Sequence, residues 1–154
     1  MNKKHISMAE LYPVMADKIA NGGEVTFCVS GLSMQPMVYH HRDTVTIKKH
    51  NGKLKKYDLP FYRRDDGRFI LHRVIKLQKD GNYTCRGDNQ WEKEYNVRDD
   101  QIIGVVTAFS RNGKVVEVSK SKGYKLYCHI WPWVHFLKPF YKYFLKFKSI
   151  FSKK

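Results

Sequence analysis

The fold is decided by the stretch EVTFCVSGLS, residues 24–33, in which apolar and polar residues alternate up to the glycine. Val25, Phe27 and Val29 occupy every second position, so they would share one face of a β-strand. Gly31 then interrupts the alternation, and glycine favours a turn because it adopts backbone angles that other residues avoid. The pattern predicts a half-buried strand that ends in a sharp turn.

Similar short patterns follow further along the chain. The other predicted strands span residues 44–48, 69–77, 82–86, 102–110 and 114–119. Asparagine-glycine or aspartate-glycine pairs, which are typical of tight turns between strands, fall between most of them. No long helical pattern separates these strands. The sequence therefore predicts a mostly β domain over residues 24–119, folded as a coiled sheet or a partly open β-barrel.

A short amphipathic helix is predicted in the N-terminal segment, residues 1–23. Ser7 and Glu10 have the spacing of a capping box, in which each side chain bonds to the backbone amide of the other residue. Apolar residues then recur at helical intervals until Asn21 and Gly22 end the pattern. Charged residues interrupt the segment, so we expect neither a secretory signal nor a membrane-spanning helix there.

Positive charge is concentrated at the C-terminal end. The chain of 154 residues has a formal net charge of +15, and residues 120–154 contain lysines but no acidic residue. Such an excess favours a polyanionic partner, either nucleic acid or an anionic membrane surface. Hydrophobic residues make up 42% of the chain, which excludes a disordered protein and indicates a folded core.

The tail, residues 120–154, combines these lysines with aromatic residues. Lys142 and Lys146 fall on one stripe of a helix, and phenylalanines occupy much of the remaining circumference. We expect residues 138–154 to form a helix that lies in the interface of an anionic membrane. Packing against the β domain and a tilted or re-entrant anchor remain as alternatives. The expected location is cytoplasmic, or peripheral at the cytoplasmic membrane face.

Three polar segments interrupt the predicted sheet. The first is SGLSMQPM, residues 30–37, where a serine leaves the end of a strand and can present its hydroxyl and nearby backbone amides to a carbonyl. The second is FILHRVI, residues 69–75, where a histidine and an arginine break an apolar run. Burying such a pair costs free energy unless partners satisfy it. The third is YTCRGDNQ, residues 83–90, a strand that enters a polar turn.

The order of these segments resembles the signal peptidase I superfamily, which includes the self-cleaving LexA-like repressors. A Ser-Met-x-Pro turn, a His-Arg-Val strand and an Arg-Gly-Asp-Asn turn follow one another, and the resemblance covers residues 25–106. Other branches carry a lysine where this sequence has His72. The chain therefore resembles the Ser–His branch found in the endoplasmic reticulum, archaea and some Gram-positive bacteria.

The resemblance implies that Ser33 is the nucleophile and His72 the general base. The Ser33 amide, together with the turn at Gly31, would bind the oxyanion. An imidazole is a competent base near neutral pH, as this chemistry requires. The acid that orients the histidine is either Glu94 or Asp88. Candidates for the substrate groove are Met34, Pro36 and Arg73.

These motifs predict a serine endopeptidase of the signal-peptidase type that cleaves a peptide or protein near a membrane. Two alternatives remain: a self-cleaving repressor-like regulatory domain, and a non-enzymatic basic protein that binds nucleic acid. Of the possible partners, we expect a peptide or protein substrate and an anionic membrane surface, and we do not favour nucleic acid. Cys28, Cys85 and Cys128 form no C-x-x-C pair, so we expect buried free thiols. The sequence contains no phosphate-binding loop and no paired metal-ligand motif, and we expect neither a cofactor nor a metal.

Overall fold

The computed structural model describes residues 7–133 and residue 137. The chain divides into two compact units, Met1–Ser121 and Lys122–Lys154. The first unit contains the predicted N-terminal helix together with all the strands described below. All three predicted polar segments therefore lie in one compact unit.

Helix α1, Met8–Ala20, begins at the predicted capping box. The Ser7 hydroxyl accepts a hydrogen bond from the Glu10 amide at 3.2 Å, and the Glu10 carboxylate accepts one from the Ser7 amide at 2.8 Å. Met15 and Ile19 are the buried residues of the helix. Their spacing of four places them on one face, which is the amphipathic pattern predicted from the sequence.

The β region consists of two antiparallel sheets. In chain order the strands are β1 Glu24–Cys28, β2 Thr44–Lys48, β3 Pro60–Arg63, β4 Phe69–Leu71, β5 Arg73–Leu77, β6 Tyr83–Arg86, β7 Glu94–Val97, β8 Ile102–Arg111 and β9 Lys114–Glu117. The larger sheet has the order β1-β2-β8-β3-β4, with β9 paired to β8, and the smaller has the order β5-β6-β7. The mostly β fold is confirmed, although no closed barrel forms within the described residues.

One prediction is wrong in detail, because residues 69–77 form two strands instead of one. β4 belongs to the larger sheet and β5 to the smaller, and His72 lies between them. The interruption makes physical sense because this residue marks the point at which the chain passes from one sheet to the other.

A hydrophobic core joins the two sheets. Its buried members are Leu54, Tyr62, Val74, Tyr83, Cys85 and Val97. Tyr62 comes from β3 of the larger sheet, whereas Val74 comes from β5 of the smaller. Removing such large apolar surfaces from water is the main favourable contribution to folding. The core therefore fixes the two sheets beside each other at the level of His72.

The second unit begins with a helix over residues 122–133, and residue 137 is also helical. Leu126, Ile130 and Trp133 are exposed on this helix. None of the helices in the described part combines the length and hydropathy needed to cross a bilayer. The interfacial helix predicted for residues 138–154 lies outside the described residues.

The free-thiol prediction holds, but its burial component is wrong for one residue. Cys28, Cys85 and Cys128 are all free. The last two are buried and Cys28 is exposed. The position of Cys28 on β1, an edge strand, explains the difference because the side chains of alternate residues there face solvent.

Candidate active site

Ser33 lies in the loop that follows β1 and is half-buried. The loop closes on itself, since the His41 amide donates to the Val29 carbonyl at 2.8 Å. Gly31 has a φ of 95°, which strongly favours glycine. Its amide donates to His40 Nδ1 at 2.8 Å. Because this bond already uses the Gly31 amide, any oxyanion binding in the loop falls to the amides further along it, beginning with Ser33.

The predicted Gly-Asp-Asn turn packs directly against the serine loop. The Asn89 amide donates to the Ser33 carbonyl at 2.7 Å. A Cβ atom at Gly87 would lie 2.7 Å from that same carbonyl oxygen and 3.0 Å from the Ser33 Cβ. The two backbones approach too closely for a side chain at position 87. The turn therefore holds the candidate nucleophile in place.

Asp88 and Arg73 form a buried ion pair. The Arg73 guanidinium donates to both Asp88 carboxylate oxygens, at 2.8 and 2.7 Å, and each side chain is only 3% exposed. Arg73 also donates to the Tyr57 carbonyl at 3.2 Å. The structure thus places Asp88 against Arg73 and buries Arg73, which had been predicted to contact substrate in the groove. A buried guanidinium with these partners has little surface to offer a peptide.

Glu94 lies beside the imidazole of His72. Its Oε2 atom is 3.6 Å from His72 Nδ1, and the Tyr62 hydroxyl is 3.4 Å from the same nitrogen. The Tyr62 hydroxyl donates to Glu94 at 2.6 Å, and Arg64 donates to both carboxylate oxygens. Of the two acids predicted as orienting groups, Glu94 is therefore the one beside the imidazole.

The protonation of this cluster follows from its contacts. Burial raises the pKa of Glu94, but the facing side chains of His72, Arg64 and Tyr62 outweigh this effect and lower the pKa to about 2. Burial and the adjacent Glu94 carboxylate raise the pKa of Tyr62. Glu94 is therefore an anion at neutral pH, able to accept an N–H from Nδ1, and Tyr62 remains a proton donor.

Ser33 and His72 line the same cavity, which has a volume of about 550 Å³. Its lining residues are Val29, Ser30, Gly31, Leu32, Ser33, Met34, Arg64, Arg68, Phe69, Ile70, Leu71, His72, Asn89 and Gln90. Within the described residues, no hydrogen bond joins Ser33 Oγ to His72. Catalytic hydrogen bonds often tighten only when substrate binds. The cavity brings the first and second predicted segments to one surface, with the third at its rim.

The other predicted groove residues take different positions. Met34 lines the cavity but is 2% exposed, so it forms the floor. Pro36 is half-buried in the turn that follows. A second cavity, of about 580 Å³, lies between α1 and β8 and is lined by neither Ser33 nor His72. Among the described residues, no group of three histidine, cysteine, aspartate or glutamate side chains is placed to bind a metal.

Comparisons with protein-family models, curated proteins and solved structures give no match to this chain. The likeness to signal peptidases remains a prediction from the sequence motifs.

Two residues of the cluster were missed by the sequence analysis. Tyr62 and Arg64 come from β3 and the residue after it, a segment whose buried run begins with Pro60 and shows no alternation. Their contact with Glu94 depends on how β3 is aligned within the sheet. The one available signal was a tyrosine followed by arginines before a turn, which is too common to single out a site.

Proposed function

We propose that this chain is a serine endopeptidase of the signal-peptidase type, with Ser33 as nucleophile and His72 as general base. One observation carries the proposal: Ser33 and His72 come from distant parts of the sequence and line one cavity. The acid that the mechanism requires is also present, because Glu94 lies on the Nδ1 side of the imidazole. Ser30 also lines this cavity, and Ser33 is preferred to it because Ser33 stands in the Ser-Met-x-Pro motif.

The proposed reaction has two steps. In the first, Ser33 Oγ attacks the scissile carbonyl while His72 Nε2 accepts the hydroxyl proton and then passes it to the departing amine. In the second, His72 takes a proton from a water molecule, and the water oxygen attacks the carbonyl of the acyl-serine ester. The ester bond breaks, and His72 returns the proton to Ser33 Oγ. Glu94 would hold the Nδ1–H throughout and stabilise the imidazolium. No cofactor enters either step.

The oxyanion would be stabilised by backbone amides of the serine loop. The Ser33 amide is the first candidate, because the amide of Gly31 is bonded to His40. Losing one such donor typically lowers a rate by about 10²–10³-fold. The contact of Asn89 with the Ser33 carbonyl fixes the direction of the peptide group that follows it. The Gly-Asp-Asn turn would therefore position the nucleophile without touching the substrate.

A fluorophosphonate probe tests the assignment directly. We expect the folded protein to be labelled at Ser33, as located by peptide mass spectrometry, with labelling abolished in Ser33→Ala and strongly reduced in His72→Ala. Ser30→Ala is the matched control, since Ser30 lines the same cavity and is exposed. Labelling that persists in Ser33→Ala, or that moves with Ser30, would show that the assignment is wrong.

We also propose that the second unit contacts an anionic membrane surface. Leu126, Ile130 and Trp133 are 60%, 48% and 72% exposed, and their spacing of four and three places them on one helical face. Lys122 and Lys125 belong to the same helix, and no acid occurs from residue 120 onward. An apolar face beside lysines is typical of helices that lie in a lipid interface.

Vesicle sedimentation tests this contact. We expect the protein to bind phosphatidylglycerol vesicles at low salt more strongly than phosphatidylcholine vesicles, and the double variant Leu126→Ser/Ile130→Ser to bind at least several-fold less. Val115→Ser is the control, because Val115 is 74% exposed on β9 of the other unit. Equal binding by the double variant, or binding to single-stranded nucleic acid instead of vesicles, would contradict the proposal.

A further inference from the structure

The candidate cavity runs along the free edge of a sheet. Within the described residues β4 pairs with β3 alone, and it is the last strand in the order of the larger sheet. On the β3 side, the His72 amide donates to the Pro60 carbonyl and the Arg68 carbonyl accepts from the Arg64 amide. Because hydrogen-bonding direction alternates along an antiparallel strand, the intervening odd-numbered residues turn their backbone groups to the open edge. An extended peptide can pair with that edge.

The same alternation determines which side chains face such a peptide. Arg68, Ile70 and His72 are at every second position, so their side chains share one face of the strand. All three line the cavity, as do Phe69 and Leu71 of the opposite face, and Arg68 is the one arginine among these five residues. Arg68 lies four residues before His72, the candidate base, and four residues of extended chain span about 13 Å. A bound peptide would therefore present to Arg68 the side chain of a residue about four positions from the one beside His72.

The charges in the cavity favour an acidic side chain at that position. Arg64 and Arg68 are among the described residues that line it, and no aspartate or glutamate is. Arg64 already donates hydrogen bonds to both carboxylate oxygens of Glu94. Arg68 is bonded to Asp66, but the two side chains are 67% and 45% exposed. An ion pair this open to water contributes little free energy, so Arg68 can exchange its partner for a substrate carboxylate.

We propose that Arg68 is a specificity-determining residue, and that the preferred substrates carry a glutamate or aspartate about four residues from the position beside His72. The proposal rests on the peptidase function proposed above. Opposite charges paired across adjacent strands typically contribute enough to change affinity by about twofold to fivefold. Such a preference would distinguish peptides that are alike at the scissile bond.

Matched peptide mixtures test the inference. The probes are short synthetic peptides with alanine at the centre and a single glutamate, with glutamine or lysine at the same place in the matched peptides, scanned along both sides. With mass-spectrometric detection of products, we expect the glutamate member of one pair, three to five residues from the cut, to have a kcat/KM about twofold to fivefold higher. The preference should vanish in Arg68→Gln and shift to a lysine peptide in Arg68→Glu.

Two controls separate the outcomes. Arg63→Gln removes the same charge from a neighbouring residue that does not line this cavity, and it should leave the preference intact. Asp66→Asn frees Arg68 and should enlarge the preference. Cleavage with equal rates for every glutamate and glutamine pair would overturn the inference while leaving the peptidase function standing.

A binding measurement covers the case in which no peptide is cleaved. Fluorescence anisotropy with the Ser33→Ala variant compares the affinities of labelled glutamate and glutamine peptides without needing turnover. A glutamate preference that depends on Arg68 supports the inference even if Ser33 is not a nucleophile. No preference, or no binding of either peptide, overturns it.

Discussion

Two charged clusters flank the candidate base, and they differ in how far water reaches them. On one side Arg73 and Asp88 are each 3% exposed. On the other, Arg64 and Glu94 are 27% and 19% exposed. The first pair is buried within the fold. It joins the start of β5, directly after His72, to the turn that holds Ser33. The second opens toward the cavity and touches the imidazole itself.

The difference separates a structural task from a chemical one. A sealed ion pair is strongly destabilising to break, because the remaining charge has no water to solvate it. A cluster at the edge of a cavity can rearrange and respond to a ligand or to protons. We therefore expect changes on the Arg73 side to lower stability strongly, and changes on the Glu94 side to alter how stability depends on pH.

Arg73→Met should produce the largest effect. It leaves the Asp88 carboxylate buried without its main partner, and we expect the free energy of unfolding to fall by about 3–5 kcal/mol. Urea unfolding followed by circular dichroism measures this. The control is Arg98→Met, which removes an exposed arginine that is also paired with carboxylates. Its loss of stability should be far smaller, because water screens the exposed pair. Similar losses in both variants would contradict the contrast between sealed and open pairs.

Glu94→Gln should act through pH. The pKa of Glu94 is about 2 in the folded protein against an ordinary value of 4.5, so the ionised carboxylate stabilises the fold above about pH 4.5. This contribution, about 3 kcal/mol, is lost as the pH falls toward 2. We expect the variant to be less stable than the wild type at pH 7 and nearly equal to it near pH 2. Unfolding curves across this range measure the difference.

The control for that experiment is Asp65→Asn, which removes an exposed carboxylate bonded to Arg98. Its effect at pH 7 should be far smaller than that of Glu94→Gln, because water screens an exposed carboxylate. If the difference between wild type and Glu94→Gln does not change with pH, the low pKa assigned to this carboxyl is wrong.

Gly87→Ala should affect the nucleophile more than the fold. The added Cβ would collide with the Ser33 carbonyl, 2.7 Å away, and displacing the loop by a fraction of an ångström should lower probe labelling about tenfold. Gly104→Ala is the matched control, because its Cβ would meet the Lys48 carbonyl at 2.9 Å, in a part of the sheet that does not line the cavity. Equal loss of labelling at equal stability in both variants would disprove the positioning role.

Tyr62→Phe should have the smallest effect. Removing the hydroxyl takes one donor from Glu94, which lowers stability by about 1 kcal/mol and raises the pKa of that carboxyl. The loss should therefore be smaller in the Glu94→Gln background, where the acceptor carries no charge, and this comparison measures the coupling of the two residues. Tyr83→Phe is the control, since its hydroxyl bonds to Asp99 at 2.8 Å away from the cavity. The loss from Tyr83→Phe should be the same in both backgrounds, and equal coupling of both tyrosines to position 94 would remove Tyr62 from the cluster.

The sequence predicted those elements whose signals are local. The capping box at Ser7 and Glu10 needs only four residues to be recognised, and the alternation at 44–48 matches β2, Thr44–Lys48. It missed β3, Pro60–Arg63, where consecutive residues are buried, and β7, Glu94–Val97, whose residues are mostly polar. Both strands depend on their neighbours in the sheets more than on their own pattern.

The site followed the same rule. The motifs were sufficient to single out Ser33, His72 and two candidate acids, but they did not distinguish Glu94 from Asp88. That choice depends on the partner each carboxylate meets across the sheets, and the partners Arg64 and Arg73 come from different strands. Cross-strand register is set by packing of the whole domain, which one sequence does not display.

His72 occupies the one residue between β4 and β5, where the chain changes sheets. The loop that carries the candidate nucleophile also connects the two sheets. It leaves β1 of the larger sheet, and its Ser33 carbonyl accepts a hydrogen bond from Asn89 in the turn after β6 of the smaller sheet. Both reacting groups therefore lie where elements of the two sheets meet. Probe labelling of Ser33 should therefore depend on contact between the two sheets. On gentle heating, we expect labelling to be lost when the sheets separate, even while each sheet retains its own hydrogen-bonded strands.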